Sequence, residues 1–219
     1  MIKVERSQPA PESLAVEAQK KDGQYNRPDV TERLRHDFHD KCYICGIQGL
    51  QDPVVEHRLP HKNGLYHDRK FDWNNLFWSC GHCNGVKNRG KYDEGIIDCC
   101  ARDPEGLLEF EWDEKNVSVS AVNPNDAEAK LTAELLYEVF NVRNTGTRII
   151  TSRVRFNSLL EQMNIVIKAL DKYKEHPELK HNQRMLRAHL QRESAFAEFK
   201  RAYVSKRLGE FPDLKEYLV

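Results

Sequence analysis

The sequence predicts an α+β fold in which a small metal-braced module precedes a mainly α-helical one. Three observations carry this. Two Cys-x2-Cys pairs, Cys42/Cys45 and Cys80/Cys83, bracket a stretch poor in periodicity, as expected where a metal holds the chain in place of a large apolar core. Residues 107–122 alternate as LLEFEW, DEKN and VSVSAV, the pattern of a β-hairpin turning at 113–116. Beyond Asn123 apolar residues recur at three- and four-residue intervals, the mark of helices.

Taken in order, residues 1–29 are polar and interrupted by Pro9, Pro11 and Pro28, which predicts an irregular surface arm suited to wrapping the protein or meeting a partner. Residues 31–40 place Leu34 and Phe38 on one face of a short helix. Asn125 or Asp126 can cap a helix running to Phe140, with Leu131, Leu135 and Leu136 as its buried stripe. A longer helix is expected over 147–173, where Ile149, Phe156, Leu159, Leu160, Met163, Ile167 and Leu170 share a face. One or two more follow over 181–192 and 194–208. The organisation expected is therefore an arm at 1–29, a zinc-knuckle module with its trailing hairpin at 30–122, and a helical module at 123–219.

At 219 residues, with 39% hydrophobic and 31% charged, the chain has room for one full domain or two small ones of ordinary globular composition. It offers no stretch long enough to span a membrane, and residues 1–20 lack the apolar core of a signal peptide. A cytoplasmic protein with no membrane association is expected. The formal net charge is zero, so no global field draws a polyanion toward the molecule. Contact with nucleic acid must then come from local patches or from a partner.

In a reducing compartment four cysteines at this spacing read as thiolate metal ligands rather than as two disulfides. Four thiolates leave no open coordination position, so the ion implied is a structural Zn²⁺. Such a knuckle also serves binding modules that cut nothing. Cys99 and Cys100 are adjacent, which suits burial as small hydrophobes better than a shared metal site.

The 34-residue insert between the pairs is more specific. It holds Glu56 beside His57, then Pro60, Gly64, Asn74, Asn75 and Leu76, with Asn84 and Lys87 following the second pair. A hydrolytic phosphodiesterase needs a general base near neutral pKa and a hard cation on oxygen or imidazole ligands. His57 suits the base, Glu56 a carboxylate ligand and Asn84 a carbonyl ligand.

The runs EHRLPH at 56–61 and NNLFWSCGHCN at 74–84, with Lys87 trailing, resemble the ββα-metal HNH endonuclease family. The resemblance implies that one strand of a hairpin carries Glu56 and His57, that the loop ends at Asn75, and that a helix begins near the second cysteine pair. It makes His57 the general base for the attacking water and Asn75 the residue that supports the site and orients it. Glu56 and Asn84 become ligands of a catalytic divalent ion, and Cys42, Cys45, Cys80 and Cys83 the structural zinc ligands. Asn84 stands where the family's last histidine is found; amide oxygen is a poorer transition-metal ligand than imidazole, which tilts the catalytic ion toward Mg²⁺ or Mn²⁺.

Over the whole chain, the opening MIKVER, the arm, the HNH motif and the helical half resemble the HNH subunits of Septu-type bacterial anti-phage defence systems, some of which are encoded beside retrons. This implies a metal-dependent endonuclease acting on DNA or on an RNA such as tRNA, in complex with an ABC-type ATPase subunit. The alternative is a catalytically silent zinc-knuckle scaffold or nucleic-acid-binding module. Candidate phosphate contacts are Arg58, His61, Lys62 and Lys87, with Lys70 beside them. Residues 181–207 carry seven Lys/Arg against Glu193 and Glu198, an excess that could neutralise phosphates or face an acidic partner.

Overall fold

The computed structural model describes residues 1–142 and 145–218. Two helices open the chain, α1 (Glu12–Ala18) and α2 (Pro28–Asp37). Pro28 starts α2, where a missing N–H is tolerated, and Val30 and Leu34 face inward. Then come β1 (Pro53–His57), α3 (His67–Phe71), β2 (Leu76–Cys80) and α4 (Gly81–Lys87). Strands β1 and β2 pair antiparallel, with Glu56 opposite Phe77 and His57 opposite Leu76. All five residues of β2 are buried, and Cys80 at its end caps α4, accepting from the Cys83 N–H. Strand, strand and helix with the four-cysteine cluster make an arrangement consistent with a ββα-metal module.

A second antiparallel pair, β3 (Leu108–Trp112) and β4 (Val117–Ala121), forms the trailing hairpin. Among the described residues four α-helices follow: α5 (Ala127–Asn141), α6 (Gly146–Glu175), α7 (Lys180–Leu190) and α8 (Ala197–Ser205). Asp126 caps α5, its carboxylate accepting from the Ala129 N–H. The Asn141 side chain bonds both the N–H and the carbonyl of Val117, tying α5 to the hairpin.

Three expectations change. The segment 1–29 is not an irregular surface arm: it contains α1, buries Met1, Val4 and Leu14 in the main core, and bonds Val4 N–H to the Cys99 carbonyl. The Arg6 guanidinium lies 4.9 Å from the Trp73 ring centroid and 4.8 Å from that of Phe77. These cation–π contacts let a charged residue sit against the core. The core also crosses 122/123. One cluster takes in Leu14, Phe77, Phe110, Leu135, Phe156 and Phe199, while a second gathers Val166, Leu170, Leu186, Leu190 and Leu214. The change from one cluster to the other falls within α6. Ile149, placed on its buried stripe from sequence, is exposed.

Candidate active site and metal centre

The four cysteine sulfurs all lie within 4.8 Å of one another and every one is buried. The tight turn that presents Cys42 and Cys45 depends on Gly46, whose φ of 75° favours glycine, and where a Cβ would lie 2.6 Å from Glu198 Oε1. Among the described residues this is the one group of three or more His, Cys, Asp or Glu with metal-ligand spacing. Four converging thiols at tetrahedral scale fit zinc. Cys80 also accepts a hydrogen bond from Arg155 Nη2 at 3.2 Å, and Arg155 Nη1 donates to the Thr151 carbonyl. Helix α6 thus sets a buried positive charge against the cysteine cluster. Hydrogen bonds from its cysteine neighbours, aided by Arg155, hold the Cys80 pKa well below the ordinary thiol value.

His57 ends β1 and is 9% exposed. Its Nε2 lies 3.0 Å from the Lys70 carbonyl oxygen. A carbonyl can only accept, so in the neutral ring Nε2 carries the proton and Nδ1 keeps the basic lone pair. Burial pushes its pKa down to about 4, with the Lys70 hydrogen bond opposing and the charges of His61, Lys87 and Lys70 adding to the depression. The ring is therefore neutral at pH 7. The sequence asked for a base near neutral pKa; burial places this one lower.

Asn75 fixes the loop that provides that carbonyl. Its Oδ1 accepts from Leu59 N–H at 2.8 Å, and its Nδ2 donates to the carbonyls of Leu59 at 2.8 Å and Arg69 at 2.9 Å. One amide thus clamps both ends of the loop, and the residue after Arg69 is the one that holds His57.

Glu56 and His57 are consecutive on a strand and face opposite ways. Glu56 turns inward at 3% exposure. Oε1 lies 2.6 Å from Lys87 Nζ, and Oε2 accepts from the Tyr43 hydroxyl at 2.5 Å. With both oxygens engaged, the divalent ion expected on Glu56 and Asn84 does not fit the arrangement described. Asn84, half-buried on α4, accepts at 3.3 Å from Nδ2 of Asn88, the residue just past the end of that helix.

No protein-family model matches the chain. Over 67 residues it is 31% identical to the H-N-H endonuclease F-TflIV of Escherichia phage T5, a match covering 28% of this chain and 29% of the phage protein. The likeness is to an HNH endonuclease, and it is partial. The chain thus spans about 29% of the length of the relative it matches. Among the described residues no helix is long and apolar enough to cross a membrane.

The remaining candidates are placed as follows. Lys87 is not a phosphate contact in this arrangement: it is buried, and its ammonium also donates to the His57 carbonyl at 3.0 Å. Arg58 is turned toward the Ile96 carbonyl and near Asp98 and Glu128, so its charge is matched internally. Lys62 pairs with Asp93 at 3.1 Å but stays half-exposed. His61 stands beside His57, ring centroids 4.7 Å apart, with its Nδ1 accepting from Gly64 N–H. Lys70 Nζ donates to the Gly23 carbonyl. His82, between Cys80 and Cys83, has its Nε2 3.0 Å from the Val139 carbonyl oxygen.

Of the seven basic residues of 181–207, three are paired with carboxylates and a fourth, Lys200, bonds a neutral amide. Lys200 bonds Gln162, Arg201 meets Glu105, Arg192 meets Asp103, and Lys206 meets Glu111. Sequence reasoning missed three residues that touch the site: Tyr25, Tyr43 and Arg155. The CYIC pair offered a clue to Tyr43, which rides between the ligands; nothing local singles out the other two.

Proposed function

We propose that this chain is a zinc-braced HNH-type nuclease module that hydrolyses phosphodiester bonds of nucleic acid. His57 carries the reading. A neutral imidazole, with Nε2 fixed on the Lys70 carbonyl and a lone pair on Nδ1, is a group able to take a proton from an attacking water. Asn75 orients it through the loop clamp. The partial likeness to a phage H-N-H endonuclease supports the same chemistry.

A second reading is favoured by the full engagement of Glu56: a permanently silent scaffold or nucleic-acid-binding module that keeps the fold for its zinc centre. Membership of a Septu-type defence complex with an ABC-type ATPase extends the first reading. A chain of zero net charge has no global field to bring it to nucleic acid, so local patches or a partner must do so, and Ile149, Ile150 and Val154 lie exposed on α6 as a face for a partner. The test is end-mapping of products from DNA and RNA incubated with the zinc-loaded protein in Mg²⁺ or Mn²⁺, with and without the ATPase. Defined ends support the hydrolase; intact substrates under every condition support the scaffold.

A further inference from the structure

We propose that Tyr25, carried into the site by the N-terminal segment, is a positioning residue that sets the ring plane of His57. The inference rests on the reading of His57 as the base and deepens it. The two rings meet edge to face, centroids 4.4 Å apart at an interplanar angle of 73°, and His61 lies 4.7 Å from His57 and 6.1 Å from Tyr25. A single hydrogen bond through Nε2 gives the imidazole a pivot and leaves it free to swing about the bond. An aromatic neighbour in offset or edge-to-face contact removes that freedom, and with it fixes where the Nδ1 lone pair points.

The chain leading to Tyr25 is itself built against the site. The Glu17 carboxylate accepts from Gln24 N–H at 2.9 Å, and the turn passes so close to α1 that a Cβ on Gly23 would lie 1.9 Å from the Glu17 carbonyl oxygen. Lys70 closes the circuit. Its ammonium donates to the Gly23 carbonyl at 2.8 Å, two residues before Tyr25, while its own carbonyl takes the His57 Nε2–H at 3.0 Å. The side chain and backbone of one residue thereby register the N-terminal turn against the imidazole. Lys20 and Arg27 steady the same carboxylate, Lys20 Nζ at 2.6 Å from Glu17 Oε1.

The experiment uses full-length, zinc-loaded protein and two readouts. Imidazole nitrogen NMR reports the His57 tautomer and ring environment, and steady-state cleavage of an oligonucleotide reports kcat and KM separately. Tyr25→Phe keeps the ring and leaves both readouts as in the wild type. Tyr25→Leu shifts and broadens the His57 signals and lowers kcat by roughly tenfold to a hundredfold with KM unchanged, the scale of a misplaced catalytic group. Gly23→Ala displaces the same ring without removing it, moves the His57 signals in the same sense, and serves if Tyr25→Leu does not fold. Wild-type signals and kcat in folded Tyr25→Leu or Gly23→Ala protein overturn the inference. If the wild type cleaves nothing while the His57 signals still depend on Tyr25, the hydrolase reading fails and the positioning role stands.

Discussion

Lys87 and Glu56 form an ion pair inside the module, Nζ to Oε1 at 2.6 Å, with both side chains at 3% exposure or less. The same ammonium donates to the His57 carbonyl, so one lysine from α4 holds the last two residues of β1. A cation bound to the carboxylate would have to take the place this ammonium occupies.

Removing one partner leaves the other charge buried and uncompensated, which typically costs about 3–5 kcal/mol. Lys87→Met should therefore destabilise the protein on that scale in urea denaturation. Glu56→Gln combined with Lys87→Met should cost clearly less than the two single losses added. Additive losses would mean that the pair is not coupled.

Asn75 meets three backbone groups of its loop. Each buried group left unmet costs about 1–3 kcal/mol, so Asn75→Ala should lose roughly 3 kcal/mol or more and release the Lys70 carbonyl from His57. Asn75→Asp keeps the acceptor for Leu59 N–H but loses both donors, and should fall between. An Asn75→Ala protein within about 1 kcal/mol of wild type would count against the clamp.

The pH dependence has a definite sign. His57 is held at about 4 in the folded chain and lies near 6.5 when unfolded. Between those values the unfolded state binds the extra proton, so stability is complete above about 6.5 and falls as pH drops toward 4. The loss attributable to this ring is on the order of 3 kcal/mol. His82, lowered in the same way by burial, adds to the same limb, so the measurement is the difference in slope between wild type and His57→Gln. Equal slopes would place the proton elsewhere.

The metal centre, the hairpin turn and the caps were legible because each depends on residues close in sequence. Cys-x2-Cys spacing, the alternation of 107–122 and Asp126 ahead of α5 are local signals, and the structure carries all three. What eluded sequence reasoning depends on contacts across the chain. Periodicity says nothing about Leu14 entering a core made by α2 and β2, because the seven residues of α1 are too few for a repeating apolar face. The partners of Glu56 and Arg155 lie 31 and 75 positions away, at Lys87 and Cys80. Strand geometry alone could have warned that Glu56 and His57 face apart.

The zinc centre should behave as a joint between α6 and the nuclease-like module. About one zinc per chain is expected, since four thiolates form one closed site, and Cys42→Ser with Cys80→Ser should prevent folding. Because outer partners of metal ligands contribute about 10–100-fold to affinity, Arg155→Met should speed zinc transfer to a chromogenic chelator by roughly tenfold or more. A transfer rate matching wild type would show that the Arg155–Cys80 contact does not secure the metal.

The most direct measurement of the central claim compares cleavage by wild type and His57→Ala on one oligonucleotide, at matched zinc content and thermal stability. A positioned base contributes about 10²–10⁴-fold. The account predicts a loss in that range with zinc and folding intact; a folded, zinc-loaded His57→Ala protein that cuts at the wild-type rate would contradict it.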